Sequence, residues 1–226
     1  MAEIIKEHDF VEVDYTGKLV EGTIFDTTLS DIARKNNLHS EKAVYQPAAI
    51  CVGEGHLLQG LDKHLVGKEV GRNYTVTLQP EEAFGKRDIH LMKIVPMSTF
   101  KEHKVPPQPG LQINVDGEVG TITRVSGGRV IVNFNHPLAG KEVCYDFIVR
   151  RRIDDKREQV LTYLATTMRI AKSNLNVVVK DEKAEMELPF VLPPPVVEML
   201  SKKLVELTGL KGVNFVTKQE KKQEKK

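Results

Sequence analysis

The sequence predicts an α+β protein built in three parts, and three observations carry that prediction. Apolar and polar residues alternate with period two at 10–16 and again at 73–78, the pattern of strands with one buried face. A run of short strand patterns separated by glycine turns fills 111–134. From Ile153 onward, apolar residues at helical spacing alternate with short strand patterns, giving a mixed α/β segment.

Length and composition bound the rest. A chain of 226 residues suits two or three domains, and 40% apolar with 28% charged residues is enough for real cores in a globular protein. A formal net charge of +2 supplies no general attraction to nucleic acid or to anionic membranes, so neither is expected as a partner. No stretch approaches the roughly 20 consecutive apolar residues of a membrane span. Residues 1–9 lack the apolar core of a secretion signal. Cys51 and Cys144 stand far apart, which fits two buried thiols in a reducing cytoplasm; a disulfide between them is the minor alternative. The seven histidines form no ligand-spaced cluster, so no metal and no cofactor are expected.

Taken in order, Val11, Val13 and Tyr15 alternate with Glu12, Asp14 and Thr16 in the first strand. Gly17 and Glu21-Gly22 then mark a turn, and 23–28 returns as a second strand. Ser30 can cap a short helix to about Asn37. A strand at 50–52 ends in glycines, and Leu57, Leu58, Leu61, Leu65 and Val66 share one face of a helix that Gly67 stops. In 73–78, Tyr74, Val76 and Leu78 point inward. Strands at 111–115, 119–125 and 129–134 are joined by Asp116-Gly117 and Gly127-Gly128. The apolar run 143–149 reads as a central strand. Asp154 or Asp155 caps a helix burying Val160, Leu161, Leu164, Met168 and Ala171. A hairpin at 176–188 precedes a second helix opened by Pro193–Pro195, and 213–216 can form a last strand. The lysine-rich end, 218–226, reads as a solvated, disordered tail.

Six segments, in order, carry a resemblance. They are Val13-Asp-Tyr-Thr-Gly17, Gly22-Thr-Ile-Phe-Asp-Thr27, Val52-Gly-Glu-Gly-His-Leu-Leu-Gln-Gly-Leu61, Gly67-Lys-Glu-Val-Gly71, Glu81-Glu-Ala-Phe-Gly85 and Asn135-His-Pro-Leu-Ala-Gly-Lys-Glu-Val143. Together, with the extra β unit between the last two, they resemble the FKBP family of peptidyl-prolyl cis/trans isomerases, in its SlyD-like branch with long archaeal members. The resemblance implies an FKBP fold, an antiparallel sheet wrapped on a short helix, formed by 1–87 and 133–152. An inserted β domain in the flap would span 88–132, and a C-terminal α+β domain 153–226. It implies a site built from Tyr15, Phe25, Asp26, Leu58, Leu61, Phe84 and Tyr145, with backbone groups of His56 and Leu57 binding the extended substrate. Leu61 stands where family members commonly carry a tryptophan, Phe84 where they carry a tyrosine, and Tyr145 where they carry a phenylalanine.

Such a site can work without nucleophile, metal or cofactor. Rotation about the peptide C–N bond is opposed by a barrier of about 18–20 kcal/mol because resonance gives it double-bond character. At the twisted transition state conjugation is lost and the imide becomes less dipolar. Water favours the planar, polar ground state, so an apolar pocket that excludes water favours the twisted one. Tyr15 and Asp26 would orient the chain rather than transfer protons. Without the resemblance, Leu58, Leu61 and Phe84 read simply as core and Tyr15 with Asp26 as a surface pair.

The inserted segment holds Leu91, Met92, Ile94, Val95, Met97 and Phe100 in a proline-rich setting. Flexible apolar side chains suit adaptable contact with varied partners. By resemblance, they are expected to bind unfolded or proline-containing polypeptide clients and raise their concentration at the isomerase site. A homodimer through a free sheet edge of the C-terminal domain is a further expectation. The rival reading is a holdase chaperone with little or no isomerase activity.

Overall fold

The structure is a computed structural model and describes residues 3–102, 104–115 and 117–217. The expected disordered tail, 218–226, and Asp116 of the first insert turn lie outside these residues. In chain order the elements are β1 (Phe10–Leu19), β2 (Ile24–Thr27), α1 (Ser30–Lys35), β3 (Ala48–Cys51), α2 (Gln59–Leu65), β4 (Asn73–Leu78), β5 (Met92–Pro96), α3 (Met97–Glu102), β6 (Gln112–Val115), β7 (Glu118–Ser126), β8 (Arg129–Asn133), β9 (Val143–Arg152), α4 (Lys156–Met168), β10 (Asn176–Lys180), β11 (Lys183–Leu188), α5 (Pro194–Thr208) and β12 (Gly212–Thr217). They fall into two compact units. One holds the described residues up to Leu78 and those from Val143 on; the other is Gln79–Glu142.

The first unit is built on an antiparallel sheet in which β1 is central. β9 pairs along one edge of β1 from Val11 to Leu19. β2 and β3 therefore share the other edge end to end, at Thr16–Lys18 and Phe10–Val13 respectively. β4 closes the far side of β9, and the chain leaves this unit at Leu78 and returns at Val143, which pair with each other. Helix α2 packs on β4. It is shorter than its apolar pattern predicts, because Leu58 is still extended (ψ 136°) and Val66, at the C-cap, turns to solvent. Leu61 and Leu65 are its buried stripe. Helix α1 starts at Ser30 itself, with Leu29 at the N-cap.

The first strand departs from simple alternation. Asp14 and Thr16, expected on its wet face, are 4% and 6% exposed. Their burial is satisfied by hydrogen bonds: Arg150 Nε and Thr28 Oγ1 donate to Asp14 at 2.6 and 2.7 Å, and the Thr16 and Thr27 hydroxyls meet at 2.8 Å. Buried polar groups are tolerated when so paired. Arg151 adds a fork to Glu12 on β1 and to Glu158 on α4, and Arg152 pairs with Asp154.

The C-terminal elements belong to the same unit and share its packing. A three-stranded sheet, β10-β11-β12, has an antiparallel hairpin and a parallel β11–β12 pair crossed by α5. The hairpin turn is Asp181-Glu182, both at positive φ (48° and 58°), as a two-residue primed turn requires. Asp155 caps α4, accepting from Glu158 N at 2.8 Å, and Gly209 (φ 68°) ends α5. Val160, Leu164, Val177, Met186 and Leu204 form a core that also takes in Phe10 and Cys51. Helix α4 lies on β3 as well as on β10 and α5. Its Thr166 Oγ1 donates to the Ala49 carbonyl at 3.3 Å. The thiols are free; Cys51 is buried, with a pKa pushed up to about 12 by burial and then by Glu54 and Asp62.

The second unit is an antiparallel sheet ordered β5-β8-β7-β6. Phe100, Ile122, Val130 and Val132 form its core, with Val95, Met97 and Phe134 packed against it. Strand β5 and helix α3 add to the three strands legible in the sequence.

Candidate active site

Three neighbouring strands place one row of residues. Gly17 on β1 pairs with Asp26 on β2 and, across its other edge, with Tyr145 on β9. The β1–β2 register slips here: Gly17 faces Asp26 and Lys18 faces Ile24, so Phe25 falls at the slip. Phe25 is thus the extra residue of a β-bulge, a device that re-aims a side chain. Its ring meets Tyr145 edge-on at 5.9 Å and 81°. Tyr15, two residues before Gly17, meets Tyr145 at 5.8 Å and 62°. Such edge-to-face pairs match the ring quadrupoles.

Asp26 is exposed, while Tyr145 is 3% exposed and Tyr15 and Phe25 are half-buried. The Tyr15 hydroxyl donates to Asp26 Oδ2 at 3.2 Å. Burial raises the pKa of both tyrosines well above the ordinary phenol value, and the Asp26 charge adds to it. Both remain neutral phenols, able to donate a hydrogen bond but not to act as bases near neutral pH.

Leu57 and Leu58 are half-buried just ahead of α2, and Leu61 is 1% exposed on it. The loop before them is held from several sides. Asp62, on α2 and 4% exposed, accepts from Gly53 N and Gly55 N at 3.0 and 3.1 Å. Glu54 pairs with Lys203 of α5 at 2.9 Å. His56 Nδ1 accepts from Cys51 N at 3.1 Å, which leaves Nε2 as the donor to Thr167 Oγ1 of α4 at 3.3 Å. The His56 ring also lies 5.5 Å from Tyr163. Its pKa is lowered by burial, against the pull of Glu54 and Asp62. The His56 side chain is thus occupied within the fold.

Tyr15, Phe25 and Asp26 also line a groove of about 890 Å³. Its other walls come from the 38–49 segment and from residues 165–172 rather than from Leu58, Leu61 or Tyr145. Phe84 lies in the second unit, half-buried and stacked on His136 at 4.6 Å with planes 2° apart. Of the insert residues expected to meet clients, Ile94 is 62% and Met92 36% exposed. Phe100, by contrast, is 6% exposed and is core, not surface; Val95, Met97 and Leu91 are half-buried. Among the described residues no group of three or more His, Cys, Asp or Glu could hold a metal ion, and no helix is long and apolar enough to cross a membrane.

Sequence reasoning missed two positions. Gly17 reads as a turn signal but lies inside β1; a glycine within an alternating pattern is the signal of a close approach. Asp62 carries no such signal, since a helix aspartate is ordinarily a surface residue.

Three aromatic rings, two of them phenols, and one hydrogen-bonded acid gather here. Residues 2–101 match the family model described as FKBP-type peptidyl-prolyl cis-trans isomerase, and 93–138 match one described as FKBP26, IF domain. The short-type peptidyl-prolyl cis-trans isomerase of Methanocaldococcus jannaschii is 36% identical over 150 residues, 66% of this chain and 95% of that protein. The FKBP-type 16 kDa peptidyl-prolyl cis-trans isomerase of Escherichia coli is 31% identical over 153 residues, 66% of this chain and 94% of that protein. SlyD of Haemophilus influenzae is 30% identical over 146 residues, 62% of this chain and 67% of that protein. The chain belongs to the FKBP-type peptidyl-prolyl cis-trans isomerases, an isomerase class of enzyme.

Proposed function

We propose that prolyl isomerisation takes place against the Tyr15–Phe25–Tyr145 cluster, with Leu58 and Leu61 as further apolar contacts. The observation that carries this reading is the bulged Phe25 turned onto Tyr145 over a glycine gap, beside a hydrogen-bonded Tyr15–Asp26 pair. The rings strip water from the imide and so disfavour its planar, dipolar form. Asp26, fixed by the Tyr15 hydroxyl, sets the field at the mouth of the cluster. His56 and Leu57 offer backbone groups to the substrate chain on a loop held by Asp62, and the His56 ring acts on that loop rather than on substrate. In a protease-coupled assay on a short X-Pro peptide, Phe25→Ala is expected to lower kcat/KM about tenfold, or about 1.4 kcal/mol of transition-state stabilisation. Full turnover by that variant would remove the cluster from the reaction.

The second unit is the client-binding part in this reading. Strand β5 ends its sheet and carries the exposed Met92 and Ile94. An apolar groove of about 310 Å³ lined in part by Val95, Val105 and Ile113 lies in the same unit. An open strand edge beside an apolar groove suits an extended, unfolded segment.

A further inference from the structure

We propose that the C-terminal segment supplies one wall of an extended substrate subsite, which holds the polypeptide flanking the proline. The inference rests on the assignment of the prolyl site to Tyr15, Phe25 and Asp26. Those three residues line the groove of about 890 Å³ whose opposite wall is Ala165, Ile170, Ala171 and Lys172, from α4 and the turn after it. A chain with its proline against the Phe25 ring therefore has one continuous trough, of mixed polar and apolar lining, into which to run on. Substrate is the occupant for that reason of continuity. The volume lies toward the upper end of the roughly 300–1,000 Å³ usual for ligand clefts, room for several residues beyond the proline.

The lining fits a polypeptide better than a compact polar ligand. Ala43, Ala48, Ala49, Ala165 and Ala171 are small and leave space for varied side chains. Val44, 78% exposed, offers an apolar contact on the near wall. Neither charged group nearest the chain's path is uncommitted: Asp26 accepts from Tyr15, and Lys172 Nζ donates to Thr162 Oγ1 at 3.1 Å.

The far wall is fixed to the near one. Thr166 bonds the Ala49 carbonyl, and Ala49, Ala165 and Ile170 pack against the core that Phe10 and Cys51 share with α4 and α5. A wall already ordered before substrate arrives loses little entropy on binding.

The test compares a four-residue X-Pro peptide with one extended by six residues on either side of the proline, using the full chain. Ala171→Trp plugs the far wall and Val44→Asp charges the near one. Both positions are exposed and lie outside the ring cluster. Each variant is expected to raise KM for an extended peptide about tenfold while leaving kcat, and all turnover of the short peptide, as in the wild type. Wild-type KM for the extended peptides in both variants would overturn the subsite. So would an equal loss on short and extended peptides, which would mark a structural effect. Failure of the prolyl-site assignment reads differently: Phe25→Ala would then turn over the short peptide normally.

Discussion

A β-carbon placed on Gly17 would stand 2.8 Å from the Phe25 ring and 2.9 Å from that of Tyr145. Gly17 is the gap in β1 over which the two rings meet. Gly17→Ala is expected to push them apart, cost about 1–3 kcal/mol as an overpacked contact, and lower turnover of a short X-Pro peptide. Thermal unfolding and the peptide assay check both. An unchanged midpoint with unchanged turnover would mean that the rings give way freely.

Asp62 is the acceptor for two loop N–H groups, from Gly53 and Gly55. Asp62→Ala leaves both without that partner and frees the loop that leads to Leu57. Loss of about 1.5–3 kcal/mol in urea unfolding is expected, the usual range for hydrogen bonds to a charged group. A higher KM should accompany it; a KM equal to wild type would separate the loop from substrate binding.

His56 accepts from Cys51 N only while its Nδ1 is unprotonated. Its folded pKa lies below the ordinary 6.5, chiefly through burial. The unfolded chain therefore takes up this proton first as the pH falls. Stability from neutral His56 is fully present above 6.5 and declines as the pH drops below that value toward the folded pKa. The facing groups are Glu54 and Asp62, which pull the pKa up, together with Tyr163, Thr167 and Cys51. His56→Gln should flatten the decline measured by chemical denaturation at a series of pH values. An unaltered slope would assign it to other groups.

Gly120 on β7 has no space for a side chain: a β-carbon would meet Val132 Cγ1 at 2.6 Å and the Phe134 ring at 2.8 Å. Gly120→Ala is expected to loosen the second unit alone. Removal of 88–132 with the loop closed is the stronger form of the same test. Both should keep turnover of short peptides and slow the refolding of a proline-limited protein. Equal losses on peptide and protein would count against client capture by this unit.

Much of the fold was legible because local patterns agree with the tertiary result. Alternation placed β1, β4 and the insert hairpins, and Asp155, Pro193–Pro195 and Gly209 marked helix ends where the backbone needs them. The site was legible differently. Tyr15, Phe25, Asp26 and Tyr145 were named through six short motifs and are brought together on three adjacent strands. Phe100 was misplaced because apolar residues in a small unit look alike whether they face its core or its clients; the sheet of β5–β8 buries this one.

By itself the sequence determined most element types and the family, since each is written in periodicity, turn residues and contiguous motifs. Only the tertiary structure decided that Phe25 is a bulge residue, that Asp62 holds the loop before α2, and that α4 shares a core with Phe10 and Cys51. The first depends on strand register, the second on a loop folded back over nine residues or fewer, and the third on packing between segments more than a hundred residues apart. A one-residue change in register turns every side chain of a strand to its other face without altering a letter of the local pattern.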